Sequence, residues 1–335
     1  MKTLRLHGPR DLRIHEEPAP LLGEGQVLLK IACVGICGSD LHWFSEQGIG
    51  DAHLSSPLVL GHEFSAAVAG GSCNGQRVAV EPAIACGDCE FCQKGFPNLC
   101  ENIIFAGHDT QDGGLRELIS WPIKNLFPLP ETLSNADGAM LEPLGVAIHA
   151  VDLSHINCGM TVGIFGCGPI GLLILQLARL SGAAKIFATD LLPHRIDAAK
   201  AFGATQVFLT DRQPGADKIL AATSGRGVDI AFEVAGTPAA VDDAFAAVCP
   251  GGKVMLVGIP DDDKTSFPAS AARRKGLTIK LVRRMKHTYP RAIQLVESGR
   301  IDVRSLVTHR FEFERATEAF ELARRREGIK VIIEP

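Results

Sequence analysis

Thr161-Val162-Gly163-Ile164-Phe165-Gly166-Cys167-Gly168-Pro169-Ile170-Gly171 is an apolar run that passes directly into Gly-x-Gly-x-x-Gly. The glycine pattern alone is common, and a structural turn with no ligand would produce it. Here it follows a strand-like run and opens a helical stretch, Pro169–Leu180, the context that gives the pattern meaning. Gly166, Gly168 and Gly171 let backbone approach a pyrophosphate at the positive end of that helix, whose first turn holds Pro169 and Ile170. Asp190 closes the next apolar run, 185–189. A carboxylate there accepts from the adenosine ribose hydroxyls and repels a 2′-phosphate, so NAD is expected over NADP. Arg195 either flanks the adenine or pairs with Asp197.

Outward from this stretch, apolar strands at 161–165, 185–189, 206–209, 228–233 and 252–259 alternate with helical segments at 169–180, 193–202 and 239–248. That alternation predicts an α/β chain with a doubly wound parallel sheet over 146–283. Residues 1–145 read as all-β, with short alternating runs at 12–14, 26–34, 77–80 and 115–119 separated by Gly, Pro and Asp turns. The tail, 284–335, carries a helix at 289–298, a strand at 308–313, a helix at 316–325 and a strand at 330–333. It either extends the sheet or folds back onto the first segment.

A chain of 335 residues with 46% apolar and 21% charged residues has material for two globular domains. A net charge of −4 gives no electrostatic case for nucleic acid or an anionic membrane as partner. The first twelve residues are charged and lack an apolar signal core. Residues 161–178 are uncharged and approach the length of a membrane span, but four glycines and Pro169 interrupt them. A cytoplasmic protein is expected. Four of the ten cysteines are tightly grouped, which argues for metal ligation in a reducing compartment.

Cys86, Cys89, Cys92 and Cys100 form that group, spaced Cys-x2-Cys-x2-Cys-x7-Cys. Four thiolates suit a closed tetrahedral zinc that leaves no position for substrate; an iron–sulfur cluster is the rival. A second constellation joins Cys37-Gly38-Ser39-Asp40-Leu41-His42 to Gly61-His62-Glu63 and Leu141-Glu142-Pro143. Thiolate, imidazole and carboxylate together offer three zinc ligands, and three protein ligands with one open position is the catalytic form of such a site.

These residues, the quartet and the glycine fingerprint together resemble the zinc-containing medium-chain dehydrogenase/reductase family. The likeness is to its polyol dehydrogenase branch, as in sorbitol, xylitol and L-iditol dehydrogenases. It extends to Val78-Ala79-Val80-Glu81-Pro82, Asp112-Gly113-Gly114, His149-Ala150 and Leu306-Val307-Thr308-His309-Arg310-Phe311, and so covers the chain. The resemblance implies a GroES-like β-barrel catalytic domain, 1–145 with 284–335, carrying both zinc sites, and a Rossmann coenzyme domain, 146–283. It implies two zinc ions per chain, NAD, and oxidation of a secondary alcohol to a ketose. Cys37, His62 and Glu63 match the catalytic zinc ligands. Glu142 lies beside the metal in the branch, as a fourth ligand or through water. Ser39 matches the hydroxyl that passes the substrate proton to the nicotinamide ribose, and His42 the outer end of that relay or a surface histidine. Asp40 falls to a supporting or structural role. Phe105 and Arg284 match substrate-pocket residues. A homodimer or homotetramer is implied, paired through a sheet edge at 276–282 or 252–259.

Two segments depart from the branch. Arg283 and Met285 flank Arg284 where aromatics are usual, and Gly107-His108-Asp109 replaces Ala-Thr-Pro. The extra arginine and histidine either favour a longer polyol or a sugar acid, or face solvent or a subunit contact. Threonine, sugar-acid and simple-alcohol dehydrogenation therefore stay beside polyol oxidation, and a non-enzymatic NAD-binding scaffold would require a lost ligand. The other cysteines (Cys33, Cys73, Cys158, Cys167, Cys249) read as small core or incidental residues, and His309 as a structural histidine.

Overall fold

Thr161–Phe165 lies inside a six-stranded, wholly parallel sheet, which is why it carries no polar alternation: a parallel strand is covered on both faces. The strand order is Gln206–Leu209, Lys185–Asp190, Thr161–Phe165, Val228–Glu233, Val248–Leu256, Thr278–Leu281. The order reverses between Thr161–Phe165 and Val228–Glu233, the arrangement of a dinucleotide-binding sheet. One face is sealed by Phe165, Phe187, Val228 and Val254 against Ile219, Val241, Ala244 and Phe245 of two covering helices, Gly215–Ala222 and Pro238–Ala247. The helix Pro169–Leu180 buries every residue from Gly171 to Ala178.

The computed structural model describes residues 1–335, and the chain divides into two units, Met1–Gly145 with Lys286–Pro335, and Val146–Met285. The crossover falls at Lys286, two residues beyond the expected 284, because Met285 is still buried. No helix is long and apolar enough to cross a membrane.

The first unit is built on a seven-stranded sheet in the order Leu126–Pro128, Arg77–Val80, Glu63–Val68, Gln26–Gly35, Lys330–Glu334, Val307–Glu312, with Leu118–Pro122 also paired to Gln26–Gly35. Lys330–Glu334 runs antiparallel to Gln26–Gly35 and parallel to Val307–Glu312, so the tail belongs to this unit and not to the parallel sheet. The core gathers Trp43, Phe44, Phe64, Trp121 and Phe320 among aliphatic strand residues.

Three expectations need correction. Residues 1–145 are not all-β: Gly38–Glu46, Asn135–Ala139 and the start of Leu141–Ser154 are helical. The first of these is rich in weak helix formers and is fixed by its capping box at Cys37 and Asp40, a local signal that composition hides. The strand expected at 115–119 is Leu118–Pro122, since Leu115 is spent on a bond to Leu60. The strand expected at 252–259 begins at Val248 and is paired on both sides, so it is no sheet edge; the ladder resumes past Pro250-Gly251 across a register shift. Thr278–Leu281 holds the edge.

A half-buried carboxyl works against the fold. Glu81 follows Arg77–Val80, its backbone oxygen accepting from Trp121 Nε1 at 3.0 Å and Asn125 Nδ2 at 3.2 Å. Burial pushes its carboxyl from 4.5 up to about 7. A carboxyl whose folded pKa is raised destabilises the fold once ionised, so stability falls as pH rises from 4.5 through 7. Glu81→Gln should therefore stabilise the chain by about 2 kcal/mol at pH 8, the gain vanishing near pH 5; calorimetric melting at both pH values checks it.

Candidate active site

Cys37 is the N-cap of the helix Gly38–Glu46, and its backbone N–H donates to Asp40 Oδ2 at 2.9 Å. This short helix carries Ser39, Asp40 and His42 within its first five residues, shortly after the strand Gln26–Gly35. His62 and Glu63 arrive from the other side, where Gly61, at φ 94, reverses the backbone into the strand Glu63–Val68. Only glycine fits there: a Cβ would fall 2.7 Å from Val34 Cγ1. Asp112-Gly113-Gly114 braces this approach. Gly113 and Gly114 N–H donate to Val59 and Gly61 oxygens, both at 2.7 Å, while Asp112 Oδ1 accepts from Val59 N at 3.1 Å.

The three groups converge. One ligand atom each from Cys37, His62 and Glu63 lies within 4.8 Å of the others. Asp40, 1% exposed, sets the imidazole: its Oδ1 lies 3.4 Å from His62 Nδ1 and also accepts from Gly61 N at 3.2 Å. His62 Nε2 then faces Ser39 Oγ at 3.4 Å. A carboxylate behind a histidine that presents its other nitrogen is the common support of a metal-bound imidazole. Burial opposes charge on His62, yet Asp40 and Cys37 outweigh it and raise its pKa well above the ordinary value. The pocket is thus built to hold positive charge, and its sulfur, nitrogen and oxygen donors fit a zinc ion.

Two further groups complete the electrostatics. Burial pushes the Glu142 carboxyl up to about 7, with His62 opposing and Glu63 reinforcing the shift. Lys330, 2% exposed, forms an ion pair with Glu63 Oε2 and donates to Ile36 O at 3.0 Å. Burial works against its charge, but Glu63 and Cys37 prevail and raise its pKa. Sequence reading missed Lys330, which nothing local marks; of the two roles expected for Asp40, supporting or structural, its contact with His62 fits the supporting one.

Phe105 packs its ring 5.3 Å from His62 and 6.4 Å from His108, and His108 meets Trp43 edge-on at 5.4 Å. His42 Nδ1 lies 3.4 Å from Glu46 Oε2. Arg284 belongs to the other unit, in left-handed backbone conformation at φ 54. His309 bonds Thr308 Oγ1 at 3.0 Å.

The cysteine quartet is equally compact. Cys86 Sγ lies 3.4 Å from Cys100 Sγ and 3.9 Å from Cys92 Sγ, and all four sulfurs fall within 4.8 Å. A tetrahedron of thiolates about 2.3 Å from zinc has edges of about 3.8 Å, so the cage is the right size. None of the ten cysteines is in a disulfide.

In the second unit Gly166, at φ 109, begins the fingerprint turn, and a Cβ on Gly171 would strike Gly166 O at 2.0 Å. Gly168 has nothing nearer its Cβ position than Arg195 Nη1 at 3.7 Å, so its backbone is open to a ligand. Pro169 and Ile170 follow as the first helical residues. Asp190, 8% exposed, accepts from Cys167 N at 2.7 Å and Leu192 N at 2.9 Å. Arg195 Nη1 lies 3.9 Å from Asp190 Oδ2. The turn, the open glycine and the terminal carboxylate fit the pyrophosphate and adenosine ribose of NAD.

Comparison with known proteins agrees. The alcohol dehydrogenase GroES-like domain matches residues 23–131, and the zinc-binding dehydrogenase domain matches 169–298. The chain is 37% identical to sorbitol dehydrogenase of Bacillus subtilis (strain 168), covering 100% of this chain and 97% of that protein. It is 37% identical to sorbitol dehydrogenase of Bos taurus, covering 99% and 95%. Among solved structures, L-idonate 5-dehydrogenase from Escherichia coli superposes with a TM-score of 0.91 at 27% identity, covering 100% of this chain and 98% of that one. With a GroES-like unit, a parallel coenzyme sheet and both sets of zinc donors in place, the chain belongs to the zinc-containing medium-chain dehydrogenase/reductase family, in its polyol dehydrogenase branch.

Proposed function

We propose that this enzyme oxidises a secondary alcohol of a polyol to the ketose, transferring hydride to NAD. The observation that carries the reading is the convergence of Cys37, His62 and Glu63 within 4.8 Å. The zinc these residues hold supplies Lewis-acid polarisation of the alcohol oxygen. Asp40 keeps His62 in one tautomer and orientation, and Lys330 holds the Glu63 carboxylate in place. Ser39 Oγ, 3.4 Å from His62 Nε2, is the group we assign to take the hydroxyl proton, with His42 on the same helix as the outer end of the relay. Glu142, whose carboxyl is pushed up by burial and, in the same direction, by Glu63, tunes the charge at the centre. Phe105 supplies an apolar wall beside His62, and Arg284 is assigned to substrate hydroxyls. Gly166, Gly168, Pro169, Ile170 and Gly171 receive the pyrophosphate, Asp190 the ribose hydroxyls, and Arg195 lies beside that carboxylate.

A sugar acid is the second substrate class. Arg283 beside Arg284, and His108 edge-on to both Trp43 and Phe105, favour an anionic group. For assembly we infer a homodimer or homotetramer formed through Thr278–Leu281, the edge strand on which Leu281 is 77% exposed. Cytoplasmic residence accords with ten cysteines free of disulfides.

NAD reduction across sorbitol, xylitol, threonine, hexonates and simple alcohols, with and without chelator, tests the reading. Polyols should give the highest kcat/KM, and chelation should abolish turnover; best activity on hexonates would move the assignment to sugar acids. Glu142→Ala should lower kcat at least about tenfold while metal analysis still finds the quartet zinc, and loss of both zincs together would contradict that separation. Asp190→Ala should raise the KM for NAD about tenfold and erode the preference over NADP, as read from the ratio of kcat/KM values.

A further inference from the structure

Three neighbouring strands of the parallel sheet, Thr161–Phe165, Val228–Glu233 and Val248–Leu256, release loops that touch backbone to backbone. Val234 N–H donates to Phe165 O at 2.9 Å, and a Cβ on Gly166 would lie 3.1 Å from Ala235 N. Gly236, at φ 70, and Gly258 meet so closely that a Cβ on Gly258 would fall 2.2 Å from Gly236 N. One side chain fills the junction. Glu233, 1% exposed, accepts through Oε1 from Ala235 N at 2.8 Å and Gly236 N at 2.7 Å; Gly258 N–H donates to its backbone oxygen at 3.1 Å, and its Oε2 would lie 2.8 Å from a Cβ on Gly258. Such charge-assisted bonds to backbone are stronger than neutral ones and hold loop geometry.

Their place gives the clamp its meaning. A dinucleotide lies across the carboxyl ends of the strands where the strand order reverses, here between Thr161–Phe165 and Val228–Glu233. The fingerprint glycines and Asp190 occupy the side that serves pyrophosphate and adenosine ribose. The remaining half of the cofactor then falls over the loops that follow Val228–Glu233 and Val248–Leu256. Resting on the reading of the chain as NAD-dependent, we propose that Glu233 is a positioning residue for the nicotinamide half of NAD. Its buried carboxylate ties down Ala235 and Gly236, packs Oε2 against Gly258, and so fixes the backbone surface that receives the nicotinamide riboside.

Glu233→Gln in the zinc-loaded, full-length enzyme tests this, because the amide must set its N–H groups either against the Ala235 and Gly236 N–H groups or against the packed Gly258 backbone, and so part the loops. NADH titrated by fluorescence and AMP titrated by calorimetry separate the two halves of the cofactor. The Kd for NADH should rise about tenfold while that for AMP stays within about twofold. Equal weakening of both ligands, or unchanged NADH affinity, would overturn the proposal. Should Glu233→Gln fail to fold, Gly258→Ala, whose added carbon presses on Gly236 N, must give the same split or the proposal is wrong. A wild-type enzyme that bound AMP but not NADH would overturn the NAD reading itself, a result distinct from either.

Discussion

The catalytic unit depends on a buried ion pair. Glu63 and Lys330 are each nearly inaccessible, and each would be costly to bury alone. Together they join the strand that begins at Glu63 to the strand that begins at Lys330, with Gln26–Gly35 between them in the sheet. The pair also settles the charge at the metal centre. Cys37, Glu63 and Glu142 would crowd negative charge into one pocket; Lys330 offsets part of it and leaves the rest for a cation. Burial of Glu142 does the remaining work by disfavouring its ionised form.

Around that pair, each ligand is held by backbone that has little freedom. Gly61 can be nothing larger, because Val34 occupies the space of a side chain. Gly113 packs as tightly, since a Cβ there would lie 2.3 Å from Gly61 O. Asp40 closes the arrangement by bonding the Cys37 and Gly61 N–H groups while facing the His62 ring. Each ligand is therefore held by packing and hydrogen bonds from the protein itself, the support a metal site needs.

Chemistry that is local in the chain was legible from it. The strand-to-helix glycine turn, the closing Asp190, the cysteine spacing and the Gly-His-Glu triplet all lie within short windows whose physics is self-contained. What escaped was long-range or masked by composition. Lys330 lies 267 residues beyond Glu63, and no pattern near either announces the other. The helix Gly38–Glu46 is poor in strong helix formers and owes its existence to its cap and to burial of Trp43 and Phe44. Val248–Leu256 holds Pro250-Gly251-Gly252, residues that ordinarily break strands, yet the neighbouring ladders carry it through.

The interleaving of the two units has an outcome for biosynthesis. Residues 146–285 separate the segment bearing Cys37, His62 and Glu63 from the segment bearing Lys330. A polypeptide emerging from the ribosome thus exposes the donors long before their counter-charge exists. The coenzyme unit, uninterrupted in the chain, is free to fold in the meantime. Metal capture before Lys330 arrives would meet an uncompensated, more strongly anionic cage, so the moment at which the ion enters decides the environment it meets.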